Sequence, residues 1–327
     1  MKDLFLKPVK NPDDYRFEKV NCYNCGADDY AFFLIGEEDL TGKDGEFQYV
    51  KCNACEMVYQ NPRIAADQIK EFYDGEYIAH RKKKNWGLLT PLYEWAMNKH
   101  DREKEKIVAK HVDLNEQTEI MDVGCAVGTF LLHLNSKHNC KISGVDFKEG
   151  LEYPGFDKIE FYNGLFYDQD IQKERYDCVT MWHFLEHCYD PNQSLQMAGK
   201  VLKKDGKLII EVPRLDSFTF KLFGRKWPGV QAPQHTVLFD KKQFVTMIEK
   251  NGFRLVKYRP YGAFPPYSYI FAGSYFRIIG KGLNLNRIIF PYFLGQLMLT
   301  PFLWFQEVLN LSMQTIVCEK MEETPEF

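Results

Sequence analysis

At 327 residues the chain is long enough for one large domain with additions, or for two domains, and for a large buried core. Its 42 Lys and Arg against 45 Asp and Glu leave a formal net charge of −3, which excludes a general electrostatic pull toward nucleic acid. Nine cysteines follow a start (MKDLFLKPVKNPDDYRFEK) too charged for a signal peptide, so a reducing, cytoplasmic compartment is expected, with thiols as metal ligands or core residues.

Two C-x-x-C pairs come first in the chain. Cys22 and Cys25 are separated from Cys52 and Cys55 by a run containing Gly36, Gly42 and Gly45, with a β-prone segment at Phe47 to Val50. Four thiolates at that spacing can close a tetrahedral zinc site, each pair forming one knuckle. A pair of disulfides is the alternative, which a reducing compartment disfavours. A four-Cys site has no open position, so the zinc is expected to be structural. Residues 15–63 are too few to build a sufficient core without such a staple. Val58 to Arg63 ends this unit. Residues 64–100 are read as a helical linker. It contains Tyr73, Tyr77 and a basic run from His80 to Lys84, then Trp86, Leu88 and Leu89. The basic run is a solvated face, or a contact with an anionic membrane surface or acidic substrate. From Pro91 to Val112 the apolar positions recur at helical spacing, which predicts the helix leading into the sheet.

The stretch Glu119 to Phe130 reads EIMDVGCAVGTF. Ile120, Met121 and Val123 predict a strand, and Phe130, Leu131, Leu132 and Leu134 a helix after a glycine turn. Gly124 and Gly128 remove the Cβ atoms that would block a ligand, and the helix start offers N–H groups. The pattern G-x-G-x-x-G fits poorly, because Ala126 and Thr129 would take its second and third places. D-x-G-x-G-x-G fits better, on Asp122, Gly124, Ala126 and Gly128. The plain alternative is an ordinary glycine-containing βα turn. With Ala126 for the middle glycine, the stretch resembles motif I of the class I S-adenosylmethionine-dependent methyltransferases. The four-Cys segment, with Val58–Arg63, Tyr73 and Tyr77, resembles the zinc-ribbon leader found before many bacterial methyltransferase domains. The resemblance implies an α/β, Rossmann-like, seven-stranded sheet, with S-adenosyl-L-methionine as methyl donor and Zn(2+) in the ribbon. It implies that Asp122 orders the glycine loop and the donor's polar end, while Gly124, Ala126 and Gly128 admit close approach.

Lys141 to Asp146 predicts the second strand. An acid at its end can accept both hydroxyls of a ribose, and the resemblance assigns Asp146 the adenosyl ribose, with Phe147 beside it. Ile159 to Tyr162 is the third strand. Leu165 and Phe166 follow, where the family contacts adenine; simple core packing is the alternative. Tyr176 to Met181 is the fourth strand and runs into Trp182-His183-Phe184-Leu185-Glu186-His187, then Asp190-Pro191. This resembles the H-x-L-E-H…D-P signature of one methyltransferase branch. Ligands of open α/β sheets sit beyond the strands' carboxyl ends, so Trp182 and His183 are expected to face donor and acceptor. On a following helix His183, Glu186 and His187 would share one face. Base or substrate contact, structural hydrogen bonding and divalent metal binding all stay open for this trio. A quinone O-methyltransferase branch has a similar metal motif, with Glu where this chain has His183. Val201 to Pro213, with Gly206, reads as a helix end, a turn and the fifth strand. Leu222 to Phe239, with Trp227, Pro228, Pro233, Gln234 and His235, resembles the loop that covers the active site in this branch. The catalytic base is expected among His183, His187 and His235. Phe244 to Asn251 is helical, and Gly252 to Val256 begins the sixth strand.

Ser312 to Lys320 is the seventh strand. The methyltransferase domain therefore covers 101–266 and 312–322, with an apolar helical insertion at 267–311. Within it, residues 288–306 carry no charge. That length could span a bilayer. Strand seven must return to the sheet that strand six left, however, and Pro291, Gly295 and Pro301 break the run. A helical hairpin resting in one leaflet is expected, with Arg277, Lys281 and Arg287 near headgroups. A buried cap or a homodimer contact is the alternative. Phe264-Pro265-Pro266-Tyr267 only imitates the Asp/Asn-Pro-Pro motif of nucleic-acid methyltransferases. Similar zinc-ribbon methyltransferases accompany bacterial cell-surface glycan or secondary-metabolite pathways. The expected acceptor is thus a small molecule, a sugar or a lipid-linked glycan precursor, reached at the inner face of the membrane. An RNA methyltransferase with the ribbon as reader and a non-catalytic membrane-associated adaptor are the other classes. The acidic balance opposes the first, and an intact Asp122 and Asp146 oppose the second.

Overall fold

The computed structural model describes residues 15–40, 45–73, 90–147, 153–280, 282, 294–295, 298–299, 305, 308 and 310–321. Tyr77, the His80–Lys84 run with Trp86, Leu88 and Leu89, and most of the uncharged run at 288–306 lie outside them.

Seven strands form the main sheet: β6 (Glu119–Val123), β7 (Lys141–Asp146), β8 (Glu160–Asn163), β9 (Tyr176–Trp182), β10 (Leu202–Pro213), β12 (Phe253–Arg259) and β13 (Met313–Lys320). Their order is β12-β13-β10-β9-β6-β7-β8. The β6, β7, β8, β9 and β10 ladders are parallel, and β13 runs antiparallel between β10 and β12. Chain order reverses at β6, which has β7 on one side and β9 on the other. That switch point is where an open α/β sheet leaves a crevice.

Apolar residues on both faces of each central strand explain why both faces are covered. Met121 and Val123 join Val179, Met181, Leu208 and Ile210 in one core, packed under Leu195 and Ala198 of α3 (Pro191–Val201) and Phe244 and Met247 of α5 (Lys241–Lys250). Ile120, Cys178 and Ile209 face the other way, against α1 (Thr90–Val108) and against Phe130, Leu131 and Leu134 of α2 (Thr129–His138). Asp190 and Asp240 cap α3 and α5 by accepting the N–H of Gln193 and Gln243.

The four-Cys segment begins with β1 (Phe17–Glu18), which pairs with β5 (Arg63–Ile64), and forms an antiparallel sheet of β2 (Tyr30–Glu37), β3 (Glu46–Cys52) and β4 (Val58–Gln60). Its fourth strand comes from far away. β11 (Val237–Leu238), in the loop after β10, pairs with β4 through Val237↔Tyr59 and Leu238↔Val58. The Tyr49 hydroxyl reaches His235 O at 2.6 Å and Val230 O at 3.1 Å. Cys22, Cys52, Met57 and Tyr59 share the core that holds Met121 and Val123. The ribbon is therefore fused to the sheet and braces the loop carrying His235.

The loop after β10 carries the short α4 (Phe218–Phe223), and the insertion opens with α6 (Tyr267–Ile278), whose Tyr269 packs 5.7 Å from Trp227. Ile278, Ile279, Leu294, Met298, Phe305 and Val308 are exposed. Among the described residues no helix is long and apolar enough to cross a membrane.

Candidate active site

The glycine turn lies at the carboxyl end of β6. Gly124 N donates to Val145 O and Gly128 N to Cys125 O, both at 2.8 Å. Gly124 (φ 79°), Ala126 (φ 50°) and Gly128 (φ 74°) are all left-handed. A Cβ at Gly128 would lie 2.2 Å from Ile159 Cδ1, and one at Gly124 would lie 2.8 Å from Phe184 Cδ2. Ala126 takes the same conformation at a cost of about 1 kcal/mol. Its N–H is held by Asp146 Oδ2 at 2.9 Å, while Asp146 Oδ1 accepts from Phe147 N at 2.7 Å. The acid at the end of β7 thus clamps the turn that ends β6. Asp122 sits beneath, buried, and accepts from Thr180 Oγ1 at 2.6 Å. Burial pushes its carboxyl up, to about 6, against the opposing pull of Lys104 and Thr180.

Trp182 ends β9 and packs edge-on to Phe130 at 5.7 Å, with Lys104 Nζ 5.4 Å from both rings. Phe147 stands exposed beside Asp146. Gly164 N donates to Asp146 O, which brings Leu165 to the same rim. Phe166 is fully buried in the main core, worth about 2 kcal/mol in transfer terms, so packing accounts for it.

The expected helix over His183 to His187 does not form. His183 has φ 54°, and only a short 3₁₀ turn, Leu185–His187, follows. The cause is local: α3 begins at the Asp190 cap and Pro191, and a residue before proline disfavours helix. His183 therefore points elsewhere than His187. Its Nε2 lies 3.2 Å from Glu211 Oε1 and its Nδ1 3.5 Å from Glu186 Oε1. Burial alone would lower the imidazole's pKa. The carboxylates of Glu186 and Glu211 outweigh it and raise the pKa to about 9. At pH 7 the ring is thus held protonated. Burial would raise the Glu211 carboxyl, but His183 and the N–H groups of Phe264 and Ala263 hold it well below the usual carboxylate range. Thr315 Oγ1 also donates to it, at 3.2 Å. Phe264 stacks edge-on to His183 at 5.2 Å.

Glu211 is the residue of this candidate site least visible in sequence, although one signal exists: it is the lone charge within the apolar run Leu208 to Val212. In register it sits beside Trp182 on the neighbouring strand. His187 and His235 lie together, ring centroids 4.4 Å apart. His235 is buried, not solvated, and burial lowers its pKa, so the ring is neutral.

At the ribbon, Cys22, Cys25, Cys52 and Cys55 are unbridged, with one sulfur of each within 4.8 Å of the others. The Cys22–Cys55 and Cys25–Cys52 sulfurs are 3.4 and 3.5 Å apart, far beyond a disulfide bond. A tetrahedral ion with four sulfurs at ~2.3 Å needs edges of roughly 3.8 Å, so the cluster can close around one.

A profile for a methyltransferase domain matches residues 93–258, just over half of the chain. The chain belongs to the S-adenosylmethionine-dependent methyltransferases. This methyltransferase is 26% identical over 152 residues to the ubiquinone biosynthesis O-methyltransferase of Coxiella burnetii, covering 42% of the chain and 64% of that relative. It is 26% identical over 140 residues to the enzyme of the same name from Alkalilimnicola ehrlichii, covering 40% and 56%. The methyltransferase thus spans less than two thirds of the length of either relative. Among solved structures, a SAM-dependent methyltransferase from Archaeoglobus fulgidus is similar at 16% identity and TM-score 0.45, over 69% of this chain and 94% of that one.

Proposed function

We propose that the chain methylates a hydroxyl of a small polar acceptor, a sugar or a lipid-linked glycan precursor, with S-adenosyl-L-methionine as donor. One observation carries the choice of acceptor. The floor beyond β9 and β10 is built of imidazole and carboxylate: His183, Glu186, Glu211, His187 and His235. Such a floor recognises hydroxyls and is poorly suited to an apolar ring.

The donor lies across the glycine turn, with its ribose on Asp146 and its polar end toward Asp122. Phe147 and Leu165 border the adenosine, and Trp182 borders the reacting methyl. Displacement at a sulfonium needs chiefly alignment and removal of the acceptor's proton. His183, oriented by Glu211, takes that proton once it is itself deprotonated. The similarity to ubiquinone biosynthesis O-methyltransferases supports oxygen as the atom methylated. Zinc at the four cysteines keeps the ribbon, and so the His235 loop, in place. The exposed Ile278, Ile279, Leu294, Met298, Phe305 and Val308 support contact with the inner face of a membrane, where a lipid-linked acceptor resides.

The test is transfer of a labelled donor methyl group to a panel of nucleotide sugars, lipid-linked saccharides and quinols. Label on a sugar oxygen is expected. Label on quinols alone would overturn the acceptor class.

A further inference from the structure

Two helices put apolar side chains into solvent at the edge of the sheet where the site lies. β9 and β10 run parallel, and β10 and β12 both run antiparallel to β13, so all three strands end at that edge. α4 follows β10 and α6 follows β12. Phe218 and Leu222, one turn apart on α4, are exposed, as are Ile278 and Ile279 at the end of α6.

These segments form one surface. Arg277 Nη1 donates to Leu222 O at 3.1 Å, and a Cβ on Gly273 of α6 would lie 2.5 Å from the Phe223 ring. At its start α4 meets the chain returning to β13. Phe218 N donates to Asn310 O at 3.0 Å and Thr219 N to Leu311 O at 3.1 Å, just past the exposed Val308. The chain between Ile279 and Val308 holds the uncharged run 288–306.

Charge says what the surface meets. α4 carries Lys221 and no acid, Arg225 follows it, and Arg277 lies in the last turn of α6, all three exposed. Among the described residues, Lys221 and Arg277 make no ion pair. The neighbouring acids are already matched: Asp216 with Arg214 at 2.6 Å, and Glu37 with Lys226 at 2.9 Å and Arg225 at 3.3 Å. Apolar side chains ringed by cations fit a bilayer, which has an apolar interior and anionic headgroups.

We propose that α4, together with the end of α6, docks on a bilayer of anionic phospholipid. This rests on the membrane contact proposed above and adds to it the loop after β10. The same loop carries part of the site. Trp227 Nε1 donates to Thr219 Oγ1 of α4 at 2.9 Å, and His235 Nδ1 lies 2.8 Å from Gly229 O. Docking through α4 turns the His235 loop toward the headgroups, where a lipid-linked saccharide presents its hydroxyls.

The test is co-sedimentation of the full chain with vesicles of phosphatidylcholine alone and of phosphatidylcholine with phosphatidylglycerol. Binding at least about 10-fold tighter to the mixed vesicles is expected, weakening as salt rises. Phe218→Ser with Leu222→Ser should weaken it at least about 10-fold, and Lys221→Glu at least about 5-fold. The replaced side chains are exposed, so both variants should keep the wild-type melting curve, and either one decides if the other fails to fold. Unchanged vesicle binding by either folded variant would overturn the role of α4 and leave the insertion's membrane contact standing. Equal binding to both vesicle types would overturn the anionic class. No vesicle binding by the wild type would overturn the membrane contact itself, and methyl transfer to soluble sugars would still be open to its own assay.

Discussion

His183→Ala is expected to lower methyl transfer by about 10²–10⁴-fold at about pH 9.5, where the wild-type ring has largely lost its proton, the usual worth of a positioned proton acceptor. Glu211→Gln should instead move the ascending limb of the pH–rate profile, which reports the base losing its proton. In the wild type, His183 must lose a proton held by Glu186 and Glu211, so the rate rises with pH toward about 9. Removing the Glu211 charge weakens that hold, and the limb shifts toward the ordinary histidine value of 6.5. A merely structural Glu211 would lower the rate without moving the limb. Stability carries the matching sign. A pKa raised in the folded state stabilises fully below about 6.5, and that contribution fades as pH rises through about 9. Urea denaturation across that window, in the wild type and in His183→Ala, should show the slope only in the wild type.

Removing the ribbon's metal, by chelation or by Cys52→Ser, is expected to abolish methyl transfer and lower Tm by roughly 10 °C or more. Structural zinc supplies about 10–16 kcal/mol to small ribbons, comparable with the whole stability of a domain. The damage cannot stay local. β4 is the partner of β11, the Tyr49 hydroxyl holds the His235 carbonyl, and Cys52 lies in the core shared with Met121. Full activity and an unchanged melting curve in fully chelated protein would show that the ribbon needs no metal.

The glycine turn proposed to hold the donor was legible in the sequence because it is local. Asp122, Gly124 and Gly128 lie within one strand and one turn, and β7 ends at Asp146 where alternation and the acid predict. The acceptor half is assembled from distant pieces, so less of it could be read. His183 was visible as a residue type but not its orientation, which follows from a left-handed backbone at a strand end and a helix deferred to Pro191. Its partner Glu211 is adjacent only through the parallel β9–β10 register. β10 itself begins at Leu202, where the sequence suggested a helix end and a turn, because an irregularity lets Leu202 pair with Tyr176 ahead of the regular ladder. Likewise the C-x-x-C pairs announced the ribbon, yet nothing local announced that Val237 and Leu238 would complete its sheet.

Calorimetric titration of the folded, metal-loaded chain with S-adenosyl-L-methionine, beside Asp146→Ala, tests the reading of the donor site most directly. Micromolar binding is predicted for the wild type. The variant loses charge-assisted hydrogen bonds worth about 1.5–3 kcal/mol each, so its affinity should fall by at least about 100-fold. No binding by the wild type, or equal binding by the variant, would contradict the placement of the donor on Asp146 and the glycine turn.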